Sequence, residues 1–310
     1  MLKKKILLVG SANMDLSMSL KRLPMAGETL IDDGGVLYNP GGKGANAAVA
    51  VSRLGGECVF AAKLGADSHG QRLFGYYKSE GIDTSHIKVD SENATGLAVV
   101  IREADGQNRI VVYPGANAHI SEAAIREAFD TNPDAVYLGF EVPFETTLAA
   151  AKIASERGIP IFLDAAPADK NYPLESLPPI EVFSPNETET LEYTGILPTG
   201  LESSLRAALA LYKRVKCKYI VIKQGERGAF LYDGKKYNTY PAYRVGKVVD
   251  TTAAGDTFTA ALTLEYVRCG DIDTAIRYAN AAGAITVTRP GASSSIPTAA
   301  EVETVFLANN

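Results

Sequence analysis

The segment DTTAAGDTFTAAL (residues 250–262) sets two carboxylates, Asp250 and Asp256, on either side of a run of very small side chains. Phe258, Ala261, Leu262 and Tyr266 then recur at helical spacing, so the small residues fall at a helix start. The first turn of a helix leaves backbone N–H groups unpaired and partly positive, and anions bind there. Ala253, Ala254 and Gly255 have almost no side chain, so a bulky anion could reach those groups, with Asp256 beside it. Taken alone, Asp256 is equally well read as a helix cap.

Three other stretches carry polar groups at suggestive spacing. NPGGKGANAAVA (39–50) places Lys43 and Asn46 on a turn rich in glycine, where Gly41, Gly42 and Gly44 let a backbone approach a ligand closely. Such donors suit a ligand with many hydroxyls; the plainer reading is a loop before an alanine-rich helix. GSANMD (10–15) follows an apolar run, and Asn13 and Asp15 alternate, so they share one face of an extended chain. A carboxylate and an amide on one face could clamp two sugar hydroxyls, or simply make a turn. SPNETE (184–189) sets Asn186 and Glu189 three apart at a helix start, near enough to serve a metal–phosphate group or to cap the helix.

These groups must be positioned by the elements around them. Short apolar runs alternate with helical patterns: KILLVG, CVFAAKLG, AVYLG, IPIFLD and KYIVIKQG read as strands. Helices are predicted in between, among them one opened by Ser68 and closed by Gly81, and a last one near residues 298–307. This alternation predicts a three-layer α/β/α fold around a central, mostly parallel sheet. Residues 16–40 and 94–114 break the pattern with alternating β-branched residues, and Asp105-Gly106 signals a hairpin turn. They predict a small separate β-sheet, either a lid over a cleft or an edge extension.

Composition narrows the function classes. The chain has 310 residues, and its 31 basic against 36 acidic side chains give a net charge of −5. With no basic block beyond Lys3–Lys5, nucleic-acid binding through a broad positive face is not expected. No segment approaches the ~20 apolar residues of a membrane span. Cys58, Cys217 and Cys269 are scattered and form no CxxC, which fits a reducing compartment and a cytoplasmic location. His69, His86 and His119 show no ligand spacing and read as surface or loop histidines. No Walker A loop is present, and GSANMD stands where a GxGxxG fingerprint would be.

In their order along the chain, GSANMDL, PMAGETL, GGKGANAAVA, LGADSHG, TGLAVV, PGAN, FEVP, SPNETE, DTTAAGD and TRPGASSSIP together resemble the ribokinase family of sugar kinases. The resemblance covers residues 6 to 305. It implies one α/β domain over 1–310 with a small β-sheet lid from 16–40 and 94–114, and a homodimer through that lid. The implied reaction is ATP-dependent phosphorylation of D-ribose at O5. Other acceptors found in such a family are deoxyribose, a nucleoside such as pseudouridine, or another sugar.

Carried over by position, the resemblance makes Asp256 the base that takes the proton of the primary hydroxyl. Ala253, Ala254 and Gly255 become the anion hole for the γ-phosphate. Asn13, Asp15, Gly42, Lys43, Asn46 and Glu141 would hold the sugar. Asn186, Lys223, Gly225, Gly228, Gly255 and Asn280 would face ATP. Glu189 would order Mg²⁺ through water, and Asp250, Thr252, Thr286, Arg289, Gly291 and Ser295 would hold an activating K⁺, several by backbone carbonyls. Two positions depart from the family pattern: Lys223 stands where a Thr is more usual, and Pro290 removes an N–H from the cation loop.

Overall fold

Residues Ile6 to Val9 are all but inaccessible to solvent, which an apolar run achieves only when both faces of its strand are covered. The computed structural model, which describes residues 3–31, 35–103 and 108–308, makes this run a central strand. In chain order the elements begin β1 (Lys5–Val9), β2 (Asn13–Leu20), β3 (Val36–Gly41), α1 (Lys43–Arg53), β4 (Glu57–Gly65), α2 (Ser68–Ser79), β5 (Ile87–Asp90), β6 (Gly96–Glu103) and β7 (Asn108–Tyr113). Then come α3 (Glu122–Phe129), β8 (Ala135–Leu138), α4 (Phe144–Glu156), β9 (Ile161–Asp164), β10 (Ile180–Ser184), α5 (Glu187–Thr194), α6 (Leu201–Arg214) and β11 (Cys217–Lys223). The chain continues through β12 (Ala229–Tyr232), β13 (Tyr237–Tyr240), α7 (Ala254–Cys269), α8 (Ile272–Thr286) and α9 (Ala299–Leu307).

The large sheet has the order β13-β12-β11-β10-β9-β8-β1-β4-β5. From β11 to β5 every pairing is parallel; β12 and β13 close one edge as an antiparallel pair. Successive residues of β1 enter opposite layers. Ile6 and Leu8 pack with α1, α7 and α8, whereas Leu7 and Val9 pack with α3 and α4. This is the period-two alternation of a strand buried on both sides, and it makes the expected α/β/α sandwich.

The second sheet has four strands, β3-β2-β6-β7, with β2 and β6 parallel and both outer pairings antiparallel. Its first strand starts at Asn13, earlier than the sequence pattern suggested, because the run from the site into the sheet is unbroken. The Asp105-Gly106 turn lies outside the described residues. Helix α2 is capped by the side chain of Asp67, which accepts the Gly70 N–H, so Ser68 is its first residue and not its cap. Strands β5, β12 and β13 and helix α3 have no separate signal in the sequence reading. β5 and β13 mix polar with apolar residues, so no continuous apolar run marks them.

Candidate active site

The carboxyl ends of β1, β8, β9, β10 and β11 converge on one cleft of about 380 Å³, roofed by the small sheet and floored by the start of α7. Ligands of open α/β sheets collect at this edge. Asn13 and Asp15 both line the cleft from the first turn of strand β2. Asp15 pairs in register with Asn39, and the neighbouring Gly41 leaves the carboxylate its space: a Cβ there would fall 2.1 Å from Asp15 Oδ2. Gly42, with φ +90°, turns the chain into α1, whose backbone crosses so near that a Cβ on Gly42 would meet the Asn13 nitrogen at 2.8 Å. The glycine turn is therefore required by close packing of backbone on backbone, and it delivers Lys43 and Asn46 to the cleft.

Asp256 does not cap its helix. The N-cap of α7 is Ala253, with no side-chain cap, and Asp256 is the third residue of the helix, within its first turn and 5% exposed. Asn46 Nδ2 donates to its Oδ2 at 2.9 Å, and Lys43 Nζ stands 3.8 Å from Oδ1. Burial raises its proton affinity above the ordinary aspartate value, and the Lys43 ammonium opposes this. The Asp256 carboxylate in turn holds the Lys43 ammonium above the usual lysine range. Asp15 is pushed up to about 7 by burial first, then by the charges of Glu141 and Asp256, against Lys43. Asp15 Oδ1 and Asn46 Oδ1 are buried with no hydrogen-bond partner. Two orphaned acceptors beside a basic carboxylate form a site for a ligand that donates several hydroxyl protons.

Glu141 lines the cleft and also joins the segments around it. Its Oε2 accepts from Ser11 Oγ at 2.5 Å and from the Lys43 backbone N–H at 2.8 Å, with Asn13 Nδ2 at 3.5 Å. It therefore sits on the N-terminus of α1 and ties the Ser11–Asn13 segment to it.

At the start of α7, Ala253 adopts the left-handed conformation, φ 62° and ψ 1°. A non-glycine residue costs ~1–2 kcal/mol there, so the surrounding fold imposes the turn. Ala253, Gly255 and Asp256 line the cleft at the helix start, where N–H groups lack intrahelical partners; Ala254 stands outside the lining, and its N–H donates to the Thr251 carbonyl at 3.3 Å. Asn186, Glu189, Asp164 and Lys223 line the same end.

A family model for pfkB family carbohydrate kinases matches residues 3–299. The chain belongs to this family. A ribokinase of Haemophilus influenzae is 36% identical over 303 residues, 97% of each chain. A deoxyribokinase of Salmonella typhi is 32% identical over 294 residues, covering 94% of this chain and 95% of its own. In structure, an Arabidopsis thaliana ribokinase in complex with ribose and ATP superposes with a TM-score of 0.87 and 31% identity, over 99% of each chain. As a pfkB-family member the protein is a sugar kinase, and its large and small sheets match those of the ribokinase structures.

Within that family frame, not every residue singled out in the sequence reaches the cleft. Asn186 and Glu189 do, but as the plainer capping arrangement: the Asn186 side chain accepts the Glu189 N–H, and both Glu189 oxygens accept from Asn186. Burial raises the proton affinity of Glu189, with the Lys223 charge opposing. Gly225 and Gly228 bracket the turn after β11 and stand outside the cleft lining. Asn280 is also outside it, its amide donating to the carbonyls of Tyr240 and Pro241.

Of the proposed cation residues, Thr252 and Gly291 line the cleft and the others lie beside it. Asp250 accepts from the Thr252 N–H and hydroxyl and from the Gly291 N–H. Thr286 and Ser295 are fully buried, their hydroxyls donating to the carbonyls of Ala282 and Ala292. The Arg289 guanidinium turns away to Glu301 at 2.5 Å.

Three supporting residues had no signal of their own in the sequence. Asn117, 1% exposed, accepts the Ala12 N–H at 2.9 Å and donates to Asn13 Oδ1 at 2.7 Å, fixing which way the Asn13 amide points. It lies inside the PGAN motif, and that position was its only clue. Ser11 orients Glu141. Asp164 ends the buried strand β9, where a carboxylate in an otherwise apolar run is the one oddity that could have drawn attention.

Proposed function

We propose that this kinase transfers the γ-phosphate of ATP to O5 of D-ribose, with Asp256 as the base. The carrying observation is the cluster of Asn13, Asp15, Asn46 and Asp256, with two orphaned acceptors, directly above the open start of α7. A furanose with its ring hydroxyls on Asp15 and Asn13 would present its primary hydroxyl to Asp256. The carboxylate removes the proton as the hydroxyl attacks phosphorus and the bond to ADP breaks, and the helix start at Ala253 and Gly255 takes up the charge on the phosphoryl oxygens. Raised basicity suits Asp256 to that role. The ribose and ATP bound by the Arabidopsis relative support the reading.

Mg²⁺ fits the end of the cleft at Glu189. Such an ion keeps several of its waters and arrives with the phosphates, so a single carboxylate serves it. When bound it would neutralise phosphate charge. An activating K⁺ would sit beside Asp250 and Thr252, whose carboxylate and hydroxyl lie together. Tyr38, Val111 and Tyr113 are exposed on the face of the small sheet away from the cleft, an apolar surface that a second copy would cover. The whole chain then forms one domain with this sheet as lid, in the reducing cytoplasm that its three free cysteines suit.

Initial rates of ADP formation across ribose, deoxyribose, fructose, adenosine and pseudouridine, each with and without K⁺, test the reading. Ribose on top with K⁺ stimulation supports it; deoxyribose on top moves the specificity and keeps the mechanism; no turnover on any acceptor removes it.

A further inference from the structure

The floor of the cleft holds a charged pair that the sugar chemistry leaves unused. Lys223 ends β11 and Asp164 ends β9, and they are 9% and 1% exposed. Lys223 Nζ lies 2.5 Å from Asp164 Oδ2 and 3.3 Å from Thr259 Oγ1, whose hydroxyl donates to the same carboxylate oxygen at 2.6 Å. The ammonium also rests against the first turn of α7: a Cβ on Gly255 would come within 3.6 Å of Nζ. An ammonium has three protons to give. Two point at Asp164 and Thr259, and the side chain still lines the cleft. A compact, flexible cation thus sits beside the helix start where a phosphate would be held.

We propose that Lys223 is a terminal-phosphate ligand parked on Asp164, and that it exchanges this partner for the nucleotide's outer phosphates on binding. The inference rests on the kinase reading above and deepens it. Asp164 then acts as a competitor: its carboxylate stabilises the resting lysine and opposes its transfer. The two halves of one ion pair therefore have opposite effects on binding, which a purely structural pair does not give. A nucleotide monophosphate is too short to gain from the exchange.

The test is calorimetric binding of a β,γ-imido ATP analogue, ADP and AMP in EDTA, so that no metal bridges to Asp164. Lys223→Met should weaken the imido analogue by ~10-fold or more, the scale of a charge-assisted hydrogen bond, and leave AMP within about twofold. Asp164→Asn should tighten the analogue by ~3-fold or more, the gain from removing a competing resting state. Because Lys223→Met alone leaves Asp164 buried without its cation, the double variant D164N/K223M provides a neutral floor. It should bind as weakly as the single lysine variant, with AMP unchanged. Equal losses for all three nucleotides, or weaker binding in Asp164→Asn, overturn the proposal and leave the family assignment untouched. Wild-type protein that binds none of the three removes the kinase reading and this proposal together.

Discussion

The side-chain amide of Asn46 donates to Asp256 Oδ2 at 2.9 Å while its own oxygen, buried, has no partner. One residue thereby aims the carboxylate and keeps an acceptor ready for a second hydroxyl. Asp256→Asn keeps the shape and the Asn46 contact but loses the base. Turnover should fall ~10²–10⁴-fold with sugar and ATP affinities within a few-fold, read by steady-state rates beside calorimetric binding. Turnover within a few-fold of wild type would mean that the proton goes elsewhere.

Asp15 links activity to pH. Only the ionised form is a pure acceptor for sugar hydroxyls, and in the sugar-free protein its proton leaves at about 7. kcat/KM for the sugar should therefore drop as pH falls through about 7, and Asp15→Asn should lose this limb along with ~10- to 100-fold in sugar affinity. A profile flat down to pH 5 would contradict it.

The same shift makes a stability prediction of opposite sense to the usual carboxylate. Folding raises the Asp15 value from 3.8 to about 7, so the folded protein holds a proton that the unfolded chain has lost between those limits. Its contribution to stability is intact below pH 4 and declines as pH rises toward 7. Asp15→Asn, which never ionises, should be more stable than wild type at pH 7.5, by ~1–3 kcal/mol, and should lose that advantage at pH 4. Denaturant melts at the two pH values measure the difference.

Glu141→Gln retains an oxygen to accept from Ser11 and the Lys43 N–H but removes the charge at the start of α1. The sugar KM should rise by ~3- to 30-fold and the ATP KM by less than twofold. The reverse pattern would take Glu141 out of the sugar site.

Asn117→Ala should raise the sugar KM although Asn117 itself lies behind the cleft. It leaves the buried Ala12 N–H unpaired and frees the Asn13 amide to rotate. A stability loss of ~1–3 kcal/mol accompanies the rise in KM, with ATP KM unchanged. Stability loss alone would reduce Asn117 to a structural contact.

The α/β/α layering was legible because β1, β4, β8, β9 and β11 are continuous apolar runs, which only a doubly covered strand needs. Asn13, Asp15, Lys43, Asn46 and Asp256 were legible because residue type and motif agreed. What was not legible came from contacts distant along the chain. Asn117 meets Ala12 across 105 positions, and Lys223 meets Asp164 across 59; no local pattern encodes either. Capping was left open by the sequence at both helix starts: Asp256 proves not to be a cap, whereas Asn186 and Glu189 form a full capping box while also lining the cleft.

Strand β2 begins with the cleft-lining pair Asn13 and Asp15, the proposed sugar contacts, and runs on, without a break, as an interior strand of the four-stranded sheet. Recognition and roof are thus inherited as one piece of chain. A substitution that bends or slides the sheet also displaces the acceptor clamp, so acceptor choice and sheet geometry cannot drift independently. A lineage seeking a bulkier acceptor has to alter Ala98, Val100, Ile110 or Val112, the cleft-lining residues of β6 and β7, before it touches Asn13 or Asp15.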